Sequence, residues 1–517
     1  NSFSSILLQG VTGSGKTEVY LEAVANALKN GEQVLVLLPE IALTSEFFNR
    51  VKNRFGANPA EWHSGATLAE RRRIWKMVAS GGAKLVIGAR SALFLPFMNL
   101  GLVIVDEEHD HSYKQEDGVI YNARDMAVLR SSIEGIPVIL ASATPSLESW
   151  VNAKNGKYNH VQIHERFGQA TLPSLSVVDL RTENLKSDEW ISDSLEKSIT
   201  ECLNNEEQSL LFLNRRGYSP TTVCRACGNQ ISCDECDARM VEHRFINRLM
   251  CHQCGHTKAM PHKCPSCGIK GKLAVVGPGV ERLAEEAQIK FPKAVISVLS
   301  SDLYGSAKSL KDEIQKISEG NTDIIIGTQL VAKGHNFPKL RLVGVIDIDI
   351  GLQGSDLRAA ERTYQLVRQV SGRAGRKDNK GRALIQTYQP EHPVVEAIIK
   401  GDDDEFWVSE AKQRELASMP PFGKLVGIII SSSNFENAMF LANQLKTSTQ
   451  ALDKIGARVY GPAPAPIARI KRRHRIRFLV KSPRTPGLQD AIRKWVATGS
   501  LKGDLRLSID IDPQSFY

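Results

Sequence analysis

Short apolar, β-branched runs punctuate the chain with helix-length amphipathic stretches between them: SSILLQ, QVLVLLP, AKLVIGA, LGLVIVD and IPVILASA all fall within the first 150 residues. Strands covered on both faces have no polar side, so they read as continuous apolar runs, and this rhythm predicts a doubly wound parallel sheet. The pattern loosens after about residue 150 and resumes with SLLFLN, KLAVVG, AVISVL, DIIIGT, LVGVIDID and RALIQTY. A second α/β lobe of similar build is therefore expected, interrupted after its first strand by a cysteine-rich segment. At MPPFG (419–423) two prolines end the pattern, since each lacks an N–H and restricts the residue before it. Beyond them GKLVGIIIS and IRFLVKS read as strands and NAMFLANQLKTSTQAL as a helix, a small α+β domain. The expected division is residues 1–165 for lobe one, 166–222 with 268–418 for lobe two, 223–267 for the insertion and 419–517 for the C-terminal domain. The acidic run Asp402 to Glu405 reads as a solvated helix start.

A chain of 517 residues is too long for one core, and at 42% hydrophobic and 24% charged its composition is that of a soluble multidomain protein. No stretch approaches the ~20 apolar residues of a membrane span. A strand-like run follows Asn1 almost at once, so no signal peptide is expected, and a segment upstream is expected to be missing. The net charge of +9 matters less than its placement. No acidic residue lies between Asp453 and Asp490, and RIKRRHRIR (469–477) packs six Lys or Arg together. That is a candidate phosphate-binding surface, with Arg475, Arg477 and Lys481 expected to point outward from a strand and Arg472, Arg473 and Arg475 to meet DNA.

GVTGSGKT, comprising Gly10, Val11, Thr12, Gly13, Ser14, Gly15, Lys16 and Thr17, fits G-x-x-x-x-G-K-[ST] between a strand and an amphipathic helix. Loop amides and a helix N-terminus form an anion cradle there, with Lys16 reaching the β- and γ-phosphates and the Thr17 hydroxyl on Mg²⁺. LVIVDEEHD ends an apolar strand in Asp106 and Glu107. A carboxylate at a strand's C-terminal edge faces the same crevice as the phosphate loop, so Asp106 suits Mg²⁺ and Glu107 suits orienting or deprotonating the attacking water. QVSGRAGR places Arg373 and Arg376 three apart, suited to charge on the leaving phosphates across a cleft between lobes. Such a cleft changes shape with nucleotide state and can move the lobes.

Eight cysteines form four Cys-x-x-Cys pairs, Cys224/Cys227, Cys233/Cys236, Cys251/Cys254 and Cys264/Cys267, separated by five, fourteen and nine residues. They suit two tetrahedral Cys₄ zinc sites, each short knuckle offering both sulfurs to one ion, better than disulfides in a reducing cytosol or an iron–sulfur cluster. Four pairs can be joined in three ways, and spacing does not choose among them. His252, His256 and His262 read as surface residues, and Cys202 as a small buried hydrophobe. Eight Lys or Arg (Arg225, Arg239, Arg244, Arg248, Lys258, Lys263, Lys270, Lys272) line the segment. A metal-folded, basic projection beside a DNA path is expected.

In order, GVTGSGKT, LPEIALT, GARSALF, VDEEH, SATPS, FLNRRGY, GTQLVAKGHNFP and QVSGRAGR resemble the motifs of superfamily 2 helicases of the DExH type. The loop HDHSYKQEDGVIYNARD, the four cysteine pairs and the Pro-Pro-Phe-Gly boundary resemble the PriA family of replication restart helicases across essentially the whole chain. The resemblance implies two tandem RecA-like lobes. Lys16 and Thr17 would then bind nucleotide and Mg²⁺, Asp106 and Glu107 would be the DExH carboxylates and Arg373 and Arg376 the arginine pair. Thr328 and Gly334 would link ATP to DNA, and Ser142 and Thr144 would couple the lobes. It implies that Tyr113, Lys114 and Gln115, in an aromatic-rich loop, sense DNA, with aromatic faces stacking on bases. It implies a nested metal scheme, Cys224, Cys227, Cys264 and Cys267 on one zinc and Cys233, Cys236, Cys251 and Cys254 on the other. Asn336 stands where many superfamily 2 members are acidic, so neither it nor His335 is assigned a catalytic part. Family members carry an N-terminal DNA-binding region, so this chain is expected to be a fragment, and fork-end recognition is not carried over.

The expected activity is ATP-driven 3′ to 5′ DNA unwinding at stalled or abandoned forks, leading to primosome assembly. Partners implied by the resemblance are single-stranded and forked DNA, primosome proteins and single-stranded DNA-binding protein, for a cytoplasmic monomer. The rival readings are a translocase that does not separate strands, an RNA helicase, and a zinc-dependent primosome scaffold with a vestigial nucleotide site.

Overall fold

The computed structural model describes all residues except 1, 40–44, 117, 167–171, 187–188, 215–220, 235–239, 244–247, 252–255, 272, 277–279, 300–306, 333–336, 353–355, 376–380, 471 and 516–517. The first lobe is a seven-stranded parallel sheet in the order Ala60–Trp62, Leu85–Gly88, Gln33–Leu37, Leu100–Asp106, Pro137–Ser142, Ser4–Gly10, Asn159–Ile163. Its five central strands are the apolar runs of the sequence. The two outermost, Ala60–Trp62 and Asn159–Ile163, escape a hydrophobic reading because these edge strands are half solvated. Helix Lys16–Lys29 packs Tyr20, Leu21, Val24 and Ala27 onto one sheet face, and Gly31 (φ 77°) closes it in the left-handed conformation that a Cβ disfavours.

The second lobe is a six-stranded parallel sheet ordered Ser174–Asp179, Arg382–Thr387, Leu340–Val345, Gln208–Phe212, Ile324–Gly327, Ile296–Leu299. Two expectations are corrected here. Ser174–Asp179, unnoticed in the sequence, is the lobe's first strand in chain order, so the cysteine segment follows the second. KLAVVG, read as a strand of this lobe, instead gives Leu273–Val276, which pairs antiparallel with Thr221–Cys224 in a five-stranded sheet that carries the cysteines. A short apolar run fits either sheet equally well, and only its partner decides.

The C-terminal domain is a four-stranded antiparallel sheet, Arg458–Ile470, Arg473–Pro483, Gly423–Ser432, Arg506–Ile511. Helices Phe435–Lys446 and Leu488–Val496 cover one face, burying Trp495 and Phe478 together at 5.5 Å between ring centroids. Arg477 is corrected from outward to buried; Arg475 and Lys481 are partly exposed. The acidic helix start is more engaged than expected: Asp402 caps Asp403–Leu416, Asp403 pairs with Arg368, and Asp404 accepts from Trp150 and Lys154 of lobe one. No helix among the described residues is long and apolar enough to cross a membrane.

Candidate nucleotide site and metal knuckle

Parallel order brings the C-terminal ends of Ser4–Gly10, Pro137–Ser142 and Leu100–Asp106 to one edge as neighbours, so GVTGSGKT, SATPS and DEEH meet there. Gly13 and Gly15 take φ of 85° and 86°, which lets the loop curl before helix Lys16–Lys29. The Lys16 ammonium donates to the carbonyls of Gly10 (2.7 Å) and Val11 (3.3 Å), held inside the loop it would share with phosphate. Ser14 Oγ is buried with no hydrogen-bond partner, a donor left over inside the cradle. These features fit a nucleotide's phosphates.

Asp106 accepts from the Tyr20 hydroxyl at 2.9 Å and from the Glu107 amide at 2.9 Å. Burial and the Glu107 charge push its carboxyl up to about 6, while Lys16 and Tyr20 pull it down. A half-buried carboxylate beside a second carboxylate offers oxygen ligands of the kind Mg²⁺ takes. Glu107 has φ 48°, a left-handed conformation that costs a non-glycine residue energy.

The second lobe reaches this site through helix Ala359–Ser371. The Gln369 amide donates to Glu107 at 3.3 Å and lies 2.9 Å from His109 Nε2. With that amide donating to Nε2, the ring proton sits on Nδ1 and points at Ser142 Oγ, 2.7 Å away. Ser142 Oγ also accepts from the Thr144 amide, and Gln365 donates to the carbonyls of Thr144 (3.3 Å) and Pro145 (3.0 Å). Ser142 and Thr144 thus sit at the lobe contact.

Glu108, the third letter of DEEH, is 1% exposed and accepts from Ser146 N (2.6 Å), Ser146 Oγ (3.0 Å) and Ser149 Oγ (2.8 Å), with Arg124 at 3.4 Å. The next residues continue into lobe two: Leu147 N donates to Glu361, and Glu148 pairs with Arg358. Glu361 in turn pairs with Arg414 at 2.7 Å. Arg166, in the connection between lobes, donates to the Gly372 carbonyl at 2.8 Å. Gln369, Gln365, Glu108 and Arg166 were not singled out in the sequence. Gln369 opens QVSGRAGR and Glu108 lies inside DEEH, so both could have been found there; Gln365 and Arg166 carry no local signal, because their partners lie far along the chain.

Arg373 is half-buried beside this contact, and Thr328 is half-buried at the end of Ile324–Gly327. Arg376, Gly334, His335 and Asn336 lie outside the described residues.

Tyr113 and Lys114 are corrected. Tyr113 is 1% exposed, its hydroxyl sharing a proton between the carbonyls of Asp106 (2.6 Å) and Leu37 (3.0 Å). Lys114 is 6% exposed and pairs with Asp510 at 2.6 Å. Neither presents a face to DNA. Gln115 is half-buried on a two-residue strand paired with Tyr121–Asn122. Arg472 stands exposed at the hairpin turn with φ 62°. Arg473 is occupied with Ser431 and Asp504, and Arg475 donates to the Ile467 carbonyl at 3.3 Å.

Cys224, Cys227, Cys264 and Cys267 bring their sulfurs within 4.8 Å of one another, with Cys224–Cys267 at 3.6 Å and Cys227–Cys264 at 3.7 Å. Sulfurs about 2.3 Å from one tetrahedral zinc stand about 3.8 Å apart, so the donors and their spacing fit that ion. Cys233 and Cys251 are buried together in a small cluster with Ile231, Met240 and Leu249. Cys236, Cys254, His252, Arg239, Arg244 and Lys272 lie outside the described residues. His256 faces Asp234 at 3.7 Å, His262 is exposed, and Cys202 is buried in lobe two. The knuckle does not simply project. Val223 packs with Val178, Leu180 and Tyr388, and Gly228 lies so close to the Tyr388 carbonyl that a Cβ would stand 2.8 Å from it.

Family comparisons agree with this layout. Residues 2–152 match the DEAD/DEAH box helicase model and residues 265–378 the helicase conserved C-terminal domain, which defines the class. Residues 233–258 match the PriA DNA helicase Cys-rich region, and 415–514 the primosomal protein N C-terminal domain. Replication restart protein PriA of Rickettsia felis is 42% identical over 511 residues, covering 99% of this chain and 78% of that protein. Those of Bacillus subtilis and Haemophilus influenzae are 39% and 38% identical, this chain covering 63% and 70% of their lengths. The chain belongs to the PriA family of replication restart proteins.

Proposed function

We propose that the chain is the motor of a replication restart helicase, hydrolysing ATP to translocate 3′ to 5′ on DNA and unwind stalled or abandoned forks for primosome assembly. The observation that carries this reading is the Gln369 bridge to Glu107 and His109, which places a lobe-two side chain on the residue best placed to direct water. Lys16 and the loop amides would hold the β- and γ-phosphates, and Thr17 and Asp106 would hold Mg²⁺. The ion, when bound, neutralises charge developing on the phosphates. Glu107 orients the attacking water and takes its proton. Arg373, and Arg376 as the second arginine of QVSGRAGR, are the cations proposed to meet the leaving charge. Loss of the γ-phosphate then loosens the contacts of Gln369 and Gln365, and the lobes shift over bound DNA.

Two structural zinc ions, one on Cys224, Cys227, Cys264 and Cys267 and one on Cys233, Cys236, Cys251 and Cys254, hold the insertion against lobe two. Arg472 offers the C-terminal hairpin a cation for the DNA backbone. Forked and single-stranded DNA, primosome proteins and single-stranded DNA-binding protein are the proposed partners of a cytoplasmic monomer, with residues 1–165, 166–222 with 268–418, 223–267 and 419–517 as its units.

The test is strand displacement on a forked duplex by the unaltered chain, Lys16→Ala and Glu107→Gln, with ATP hydrolysis measured on matched DNA and RNA. Displacement and DNA-stimulated hydrolysis are expected, both lost in Lys16→Ala, and hydrolysis reduced about 10²- to 10⁴-fold in Glu107→Gln. Hydrolysis without displaced strand leaves a translocase only, and equal stimulation by RNA overturns the DNA assignment.

A further inference from the structure

The last described residues of the chain touch both motor lobes. Strand Arg506–Ile511 is one of the two outer strands of the C-terminal sheet, and its end is pinned by Asp512, whose amide donates to the Leu425 carbonyl at 2.7 Å while its carboxylate pairs with Lys424. From this edge Asp510 extends to Lys114 of lobe one at 2.6 Å, and the Lys114 ammonium also donates to the Ile511 carbonyl at 3.1 Å. Three residues further on, the Gln514 carbonyl accepts from Arg362, on the same lobe-two helix as Gln369. One short segment is thus gripped by a cation from each lobe.

The lobe-one grip leads straight to the nucleotide site. Lys114 follows Tyr113, whose hydroxyl lies 2.6 Å from the Asp106 carbonyl. The main chain between them is fixed by Arg90, donating to the carbonyls of Ser112 (3.0 Å) and Lys114 (2.9 Å). Lys114 and Tyr113 thus connect Asp510 to the strand end bearing Asp106. Lys114 and Asp510 are both largely buried, with side chains 5% and 19% exposed, so water screens their attraction weakly. A purely structural clip between domains would not need to end beside the residue whose hydroxyl donates to the carbonyl of Asp106.

We propose that Asp510 is a positioning residue for ATP hydrolysis, acting through Lys114 and Tyr113 on Asp106, so that the C-terminal sheet sets the posture of the catalytic strand end. This rests on the motor reading above. A shift of the C-terminal domain on DNA would move Asp510, and the displacement would reach Asp106 without passing through the cleft.

The experiment uses the full 517-residue chain with ATP, with and without saturating single-stranded DNA. Asp510→Asn is expected to lower the DNA-stimulated kcat about fivefold to tenfold, within the usual range of coupling between sites, with KM for ATP held within about twofold. Lys114→Asp alone, which sets two carboxylates face to face, is expected to lower it further. The exchanged pair, Lys114→Asp with Asp510→Lys, restores the attraction at similar combined length and is expected to return kcat to within about threefold of the unaltered chain. If the Lys114→Asp single variant fails to fold, Asp510→Asn and the exchanged pair still decide. A wild-type kcat in Asp510→Asn overturns the proposal, as does an exchanged pair that melts like the unaltered chain yet stays slow. An unaltered chain whose hydrolysis DNA does not stimulate fails differently, because it removes the motor reading itself.

Discussion

The Gln369 side chain of the second lobe lies 2.9 Å from the His109 ring nitrogen of the first, and the same amide donates to Glu107 at 3.3 Å. One side chain therefore reads both the residue that would direct water and the residue that holds Ser142. Gln369→Ala is expected to lower kcat for ATP hydrolysis at least about tenfold with little change in KM, because the contact matters for lobe closure more than for phosphate binding. Steady-state kinetics with and without DNA check it; a raised KM at constant kcat would assign Gln369 to binding.

Tyr113 gives a prediction opposite to base stacking. Tyr113→Phe removes the proton shared by the carbonyls of Asp106 and Leu37, leaving buried acceptors unpaired at about 1–3 kcal/mol. Thermal stability and kcat should both fall while affinity for single-stranded DNA stays unchanged. Weakened DNA binding at normal stability would return Tyr113 to a DNA-contact role.

Elemental analysis of the purified chain is expected to give two zinc ions, and one after Cys224→Ser with Cys267→Ser. Because Val223 and Gly228 seat the knuckle on lobe two, that loss should also lower the melting temperature of the lobe, not of the insertion alone. A count of one in the unaltered chain would refute the inner site.

Asp347 carries a pH signature. It is 4% exposed, and burial together with the Asp349 charge holds its carboxyl well above the usual range, while Arg225 draws it down. Asp349 is itself raised by burial and held by Thr387 and the Tyr388 amide. A folded-state pKa above the unfolded value of about 3.9 means that stability is present at low pH and lost as pH rises through the folded value. Asp347→Asn should therefore raise the melting temperature by about 2–4 °C near neutral pH, with the gain vanishing toward pH 4. Melting curves across pH check this, and a gain that does not change with pH would remove the charge explanation.

What the sequence determined by itself was local or periodic. The central strands of both lobes followed from apolar runs, because a parallel strand buried on both faces leaves no polar register to read. GVTGSGKT and DEEH were legible because each is a run of a few consecutive residues at a strand end. The tertiary structure decided everything that depends on a partner. KLAVVG joined the cysteine sheet rather than the parallel one. Tyr113 and Lys114, polar enough for a DNA-sensing loop, went inside because Asp106 and Asp510 offer them hydrogen-bond and charge partners. Spacing allowed three ways to join the cysteine pairs, and folding brings together Cys224, Cys227, Cys264 and Cys267. Gln365 and Arg166 resemble ordinary surface residues until distant chain is packed around them. A buried polar group is stable only beside its complement, and which residue supplies that complement is set by the fold and not by the neighbouring sequence.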